Sequence, residues 1–241
     1  MSGHSKWSTI KHKKAATDKK RADVFSKIAK AITVAASLGG ADPQVNYTLR
    51  TEIEKAKSLN MPKDKIEKAI KKGSGELQEG VRLETLLLET YGPGNSALLI
   101  EAITDNRNRT TSEIKNILSK HGGKFTGEGG VRWMFEQVGV LYLPNEQIKN
   151  RDDFELQVIE FGAQDIKLND EQTVIYTKVE NLQSTHKQLD NLGYKEIDSG
   201  LEWVAKDEIE ISDENRVKLE RLYEALDEQE DVQEIYSNTN Q

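Results

Sequence analysis

Seven cations crowd the start of the chain: Lys6, Lys11, Lys13, Lys14, Lys19, Lys20 and Arg21, with Asp18 the one acid among them. Like charges this close repel one another, so an anionic partner relieves a cost that the free protein carries. The stretch Ser2-Gly3-His4-Ser5-Lys6-Trp7, continuing to Lys14, has no helical stripe. It reads as an arm whose lysines neutralise phosphates while Trp7 or His4 stacks on a base. In the other reading Trp7 only pins the N-terminus to the helices that follow.

A second candidate is Asp105-Asn106-Arg107-Asn108-Arg109, between an expected strand end and a helix start. Amide donors from Asn106, the guanidinium forks of Arg107 and Arg109 and unsatisfied N–H groups could converge there on a phosphate. The alternative is a polar loop that caps its helix, its arginines paired to local carboxylates. Val131-Arg132-Trp133-Met134-Phe135 is rich in aromatics, but its alternation suits a packed strand better than a stacking platform.

Catalytic and metal chemistry find no comparable support. No glycine-rich stretch ends in the Gly-Lys-Ser/Thr of a phosphate loop, and no G-x-S-x-G or H-E-x-x-H motif occurs. His4, His12, His121 and His186 are scattered without ligand spacing, and there is no cysteine to supply a thiolate. The carboxylates are expected on solvated helical faces. The expectation is a non-enzyme without metal or cofactor and with no small-molecule substrate evident.

The elements that must position these groups change character along the chain. Residues 17–38 carry a helical stripe of Phe25, Ile28, Ala29, Ile32, Ala35 and Ala36, with Thr17 as the N-cap and Gly39-Gly40 as the stop. Helices are predicted over 46–59 and after Met61-Pro62, the latter ended by Gly73-Ser74-Gly75. After residue 80 the period shortens. Strands are predicted at 81–91 and 97–104 around Gly92-Pro93-Gly94-Asn95. A capping box, Thr110-Thr111-Ser112-Glu113, predicts the start of the next helix. Further strands are expected at 131–135, 138–143, 174–179, 202–204 and 232–236, and helices at 154–161, 182–192 and 214–226. The tail 237–241 is expected to fray. Together these read as an α+β protein.

The 241 residues carry a net charge of −7, but the average conceals the distribution. Residues 1–75 hold 17 Lys and Arg against 7 Asp and Glu, a net +10, which leaves −17 for the rest. The pattern is a basic arm and helical segment on an acidic body. No run of apolar residues approaches the length needed to span a bilayer, so no membrane partner and a cytoplasmic location are expected.

These segments resemble the YebC family, whose mitochondrial members are known as translational activators of cytochrome c oxidase. The resemblance rests on Gly3-His4-Ser5-Lys6-Trp7, Ile10-Lys11-His12-Lys13-Lys14-Ala15-Ala16 and Ile32-Thr33-Val34-Ala35-Ala36. It continues in Gly39-Gly40-Ala41-Asp42-Pro43, Asn60-Met61-Pro62-Lys63-Asp64, Tyr91-Gly92-Pro93-Gly94, residues 104–110, Trp133-Met134-Phe135 and Asp231-Val232-Gln233-Glu234-Ile235-Tyr236-Ser237-Asn238. Because it begins at residue 2 without room for a presequence, a bacterial member is expected. After Gly122-Gly123 the family usually carries a leucine-glycine turn and then Gly-Ser-Val, where this chain has Lys124-Phe125-Thr126-Gly127 and Gly129-Gly130-Val131.

The resemblance implies an N-terminal three-helix domain followed by two ferredoxin-like α/β domains, one inserted into the other. The implied bounds are 1–78 for the basic helical domain, 79–136 plus 206–241 for the middle domain and 137–205 for the insert. It also implies a regulator of gene expression, described in the family either as a DNA-binding transcriptional regulator or as a ribosome-associated translation factor that relieves stalling. The partner is then DNA, or rRNA or tRNA on the ribosome. No helix shows the row of base-reading side chains expected of a helix-turn-helix, which favours RNA. A third class, an acidic protein-interaction scaffold, predicts no salt-sensitive nucleic-acid binding.

Overall fold

The computed structural model describes residues 18–77, 82–169, 172–195 and 197–240, with side chains described from residue 21 onward. The chain forms two compact units, Met1–Glu136 with Trp203–Gln241 and, between them in sequence, Gln137–Glu202.

The first unit opens with three helices, α1 (Asp18–Gly39), α2 (Tyr47–Ser58) and α3 (Lys63–Gly73). Ile28, Ile32, Ala35 and Ala36 of α1 meet Leu49 and Ala56 of α2 and Ile66 and Ala69 of α3 in one buried core. Asn46 joins the first two helices. Its Nδ2 donates to Ala35 O and Gly40 O at 2.8 and 2.7 Å, closing the end of α1. Its Oδ1 accepts from Leu49 N at 3.0 Å, capping α2. This is why Gly39 is required: a Cβ there would stand 2.6 Å from the Asn46 amide. Gly73 likewise leaves room for the Thr33 carbonyl, so α3 can lie close against α1. Thr17, expected as the first cap, lies outside the described residues.

The same unit continues as a four-stranded sheet of β1 (Glu84–Tyr91), β2 (Ala97–Thr104), β3 (Lys124–Phe125) and, from the chain's end, β8 (Val232–Ser237). The strand order is β3-β1-β2-β8 and all three pairings are antiparallel. Helices α4 (Arg107–Lys120) and α7 (Asp213–Asp227) cover one face through Ile114, Leu118, Leu219, Leu222 and Leu226. The other face holds Ala97, Leu99, Val131, Phe135, Trp203, Ala205 and Tyr236. Strand β2 is therefore covered on both faces, which explains its near-continuous apolar run. The sheet has ferredoxin-like order, with β1 supplying the third strand of that arrangement from the N-terminal side.

The second unit is built from β4 (Phe135–Pro144), α5 (Arg151–Glu160), β5 (Ala163–Leu168), β6 (Gln172–Thr177), α6 (Leu182–Asn191) and β7 (Asp198–Ala205). Its sheet order, β5-β6-β4-β7, with one helix after the first strand and one before the last, is the βαββαβ ferredoxin-like pattern. Val140, Leu141, Phe154, Val158, Ile175, Leu182 and Leu189 are buried in it. The α+β class read from the sequence and the ferredoxin-like domains that the family resemblance implies are thus present.

Three local expectations are corrected. Helix α4 starts at Arg107 with Asn106 as its cap, not at a capping box of Thr110 and Glu113, because Asn106 Oδ1 accepts from Arg109 N and Thr110 is buried inside the helix. Residues 132–134 form a short 3-10 turn rather than a strand. The tail does not fray through 238–240: Asn238 is buried, its Oδ1 accepts from Ala97 N at 2.8 Å, and Ile209 bridges Thr239.

Candidate nucleic-acid interface

The cations of the helical segment divide by direction. Arg21 in the first turns of α1 and Lys57, Lys63, Lys65, Lys68 and Lys71 on α2 and α3 are exposed. Lys63 makes only an exposed i,i+4 contact with Glu67 at 3.5 Å, while Lys65 Nζ lies 5.6 Å from the Phe25 ring centre. Lys57, Lys68 and Lys71 have no ion pair among the described residues. Positive charge therefore faces solvent over two helices, as a phosphate-binding surface requires.

Lys27 and Lys30 turn the other way. Lys27, only 4% exposed, donates from Nζ to Asp227 O at 2.7 Å and Asp227 Oδ1 at 2.8 Å. Lys30 Nζ donates to Glu230 O at 3.0 Å and to Asp231 Oδ1 at 2.6 Å. Lys27 thus closes the negative end of α7, where carbonyls lack helical partners, and Lys30 ties α1 to the turn that follows it.

Asp231 is the centre of this seam. Its Oδ2 accepts from Thr110 Oγ1 at 2.6 Å and, at 3.4 Å, from Arg109 and Gln229. Burial works against its charge, but the bonds from Lys30 and Thr110 and the Lys30 charge outweigh that and hold its carboxyl at about 2. Thr104 and Thr110 hydroxyls lie 2.8 Å apart, and Thr104 Oγ1 accepts from Asn106 N at 2.9 Å.

The geometry divides the three loop residues that the sequence grouped as one phosphate site. Asn106 turns its acceptor inward as the helix cap. Arg109 is engaged by Asp105 at 2.7 Å as well as by Asp231. Arg107 keeps an exposed guanidinium, 3.9 Å from Glu128. Lys6, Trp7, Lys11, Lys13 and Lys14 lie outside the described residues. Lys19 and Lys20 belong to the first turn of α1, but their side chains lie outside the described set.

Sequence reasoning placed the carboxylates on solvated helical faces, and Glu89, Glu101 and Asp231 are among those that depart from that. Buried Glu89 accepts from the backbone N–H groups of Gly129, Val131 and Arg132 at 2.7, 2.8 and 2.7 Å. Desolvation opposes its ionisation, yet these three amides together hold its carboxyl below the ordinary range. Glu101 is pushed up to about 7, chiefly by burial, with the facing Glu234 adding to the shift and Trp203 and Tyr236 donating against it. Asp231 is the third. A carboxylate inside an apolar strand, such as Glu89 in β1 or Glu101 in β2, is the signal that could have marked the first two. Nothing local could have marked Asp231 as the partner of Lys30, 201 positions away.

Comparison with known proteins agrees with this architecture. A family model described as the TACO1/YebC protein N-terminal domain matches residues 5–76, and one described as the TACO1/YebC second and third domain matches residues 83–239. This chain belongs to the TACO1/YebC family. A relative from Pseudothermotoga lettingae is 44% identical over 238 residues, covering 99% of this chain and 93% of its own length. One from Halothermothrix orenii is 46% identical over 240 residues, covering 99% and 94%. Both are named "Probable transcriptional regulatory protein". The crystal structure of a conserved hypothetical protein from Aquifex aeolicus is 40% identical, with a TM-score of 0.86 over 94% of this chain and 93% of that one. Within this TACO1/YebC chain, no described helix is long and apolar enough to cross a membrane.

Proposed function

We propose that this chain is a nucleic-acid-binding regulator of gene expression that acts on RNA at the ribosome and relieves stalled translation. One observation carries the reading: exposed lysines are gathered on α2 and α3, in a segment of net charge +10, while the remainder of the chain carries −17. Such a surface attracts phosphates without reading sequence. The ribosome presents folded RNA, recognised by shape, loops and backbone rather than by a helix laid in a major groove. In this reading the protein works by binding, with no cofactor and no catalytic step.

A second reading, a DNA-binding transcriptional regulator, is favoured by the names of the relatives. Crosslinking the full chain in cells and sequencing what is attached separates the two. Ribosomal or transfer RNA supports the first, promoter DNA the second, and no nucleic acid leaves a protein-interaction scaffold. Replacing Lys11, Lys13 and Lys14 together by Glu should weaken RNA binding by at least about 100-fold at low salt. The salt dependence should become shallower by about 2 in log–log slope on a single strand. Unchanged binding by this variant would remove the basic arm from the interface.

A further inference from the structure

Trp133 is 64% exposed, an unusual position for a side chain that normally buries 150–250 Å². It is displayed by a fixed loop. Glu89, itself buried, holds residues 129, 131 and 132 through its three amide contacts. Trp133 Nε1 donates to Gly130 O at 3.3 Å, which orients the ring, and Lys206 Nζ donates to Trp133 O at 2.9 Å. Beside it the Arg132 guanidinium lies 5.0 Å from the centre of the Trp203 ring and forms no ion pair among the described residues. Neither does Lys206. None of the other exposed large apolar side chains lies within residues 126–136 or 203–208.

We propose that Trp133 is a stacking platform for an unpaired base of a bound single-stranded nucleic acid, with Arg132 and Lys206 meeting its flanking phosphates. The inference rests on the nucleic-acid reading above and adds a contact on the sheet domain to the one supplied by the helices. A protein-binding hot spot would seat an aromatic anchor among energetically quiet apolar neighbours that exclude water. Here the exposed indole follows Arg132 in the chain and carries Lys206 on its own carbonyl, and every base offers it a π-face. The exposed carboxylates of Glu128 and Glu136 on the same stretch keep the site from attracting a polyanion by charge. Trp133 therefore engages a strand that the basic helices have already captured, contributing by stacking rather than by counterion release.

That division fixes the test. Full-length wild type, Trp133→Ala and Trp133→Phe are titrated with 15-nucleotide oligo(U) RNA, oligo(dT) DNA and a duplex of the same length, each at several salt concentrations. Trp133→Ala should bind single strands about tenfold more weakly, with the salt slope unchanged, and should bind duplex as wild type does. Trp133→Phe should recover most of the loss. A deficit confined to RNA, or shared by RNA and DNA, identifies which strand the platform accepts, and either supports it. If wild type binds single strands and Trp133→Ala binds them equally well, the platform is overturned while the nucleic-acid reading stands. If wild type binds duplex but no single strand, the platform falls and the nucleic-acid reading stands; if it binds none of the three, both fall. Loss of a co-purifying protein by Trp133→Ala, with RNA affinity intact, would overturn the platform in favour of protein docking.

Discussion

The helical segment and the sheet domain beside it use charge in opposite ways. On α2 and α3 Lys57, Lys63, Lys65, Lys68 and Lys71 are exposed, and Lys57, Lys68 and Lys71 have no ion pair among the described residues. In the sheet domain, charged groups are drawn into the structure. Glu89 shapes a loop, Asp231 gathers four donors and Arg109 lies between two carboxylates. The contrast separates two jobs that the net charge of −7 merges. In the proposed function the free cations would supply attraction, whereas the paired charges supply position. Lys27, Lys30 and Lys55 are exceptions in the first group: Lys27 and Lys30 fasten α1 to Asp227 and Asp231, and Lys55 pairs with Glu234 of β8.

Breaking that fastening should have the largest effect on the fold. Asp231→Ala leaves Lys30 and Thr110 facing a buried site without their acceptor, so unfolding in denaturant should show a loss of about 3–5 kcal/mol. The pH dependence follows from a carboxyl held at about 2. Its folded-state value is depressed, so the stabilisation is present above about pH 4, the ordinary range, and is lost as pH falls toward 2. In Asp231→Asn that acid-side loss should be smaller. If exposed-lysine variants on α3 cost as much stability as Asp231→Ala, the separation of jobs is wrong.

How much of this was readable beforehand follows the range of the interactions. The stripe from Phe25 to Ala36 and the Gly92-Pro93-Gly94 turn are local patterns, and the elements they predict are present. Asn106 displaced the expected capping box because Asn, four residues earlier, supplies an equivalent acceptor; Thr110 was then free to turn inward. Residues 131–135 misled for a different reason. Alternation alone cannot show that the Glu89 carboxylate, some 40 positions away, gathers their amides and curls the segment into a turn. The tail after β8 is held by Asn238, whose Oδ1 accepts from Ala97 N across 141 positions, a contact that no local pattern shows. The exposed Trp133 was lost with the misread strand.

A second carboxylate sharpens the comparison because it is held the opposite way. Glu101 faces Glu234 across the β2–β8 pairing, takes a hydrogen bond from Trp203 Nε1 at 3.0 Å and is pushed up to about 7. Lys55 lies 3.7 Å from Glu234 rather than on Glu101. A raised carboxyl binds its proton more tightly in the folded state, so its contribution is full below the ordinary value of 4.5 and declines as pH rises through 7. Glu101→Gln keeps an acceptor for Trp203 without an ionisable group. It should equal or exceed wild type in stability at pH 8, by about 1–3 kcal/mol, and lose that advantage near pH 4. Equal pH profiles for the two proteins would mean that Glu101 is solvated and that position, in this part of the sheet, does not depend on its proton.

The smallest effect lies in the pair Arg107 and Arg109, two positions apart and assigned here to opposite jobs. Arg109 bonds Asp105 and reaches Asp231, so Arg109→Ala removes one of the groups that hold the seam and should lower the melting temperature measurably. Among the described residues Arg107 meets only Glu128, at 3.9 Å with both side chains exposed, so Arg107→Ala should change stability by no more than about 0.5 kcal/mol. Function should show the reverse order. A guanidinium free of carboxylates at hydrogen-bond distance is available to a phosphate, whereas one already shared between two carboxylates must first give them up. Thermal unfolding of both variants, together with ribosome profiling of cells carrying each, compares the two axes directly. Arg107→Ala should unfold as wild type does yet increase stalling, and Arg109→Ala should do so only in proportion to the protein it loses. If stalling follows stability in both variants, Arg107 is a surface charge like any other, and attraction resides in the helical segment alone.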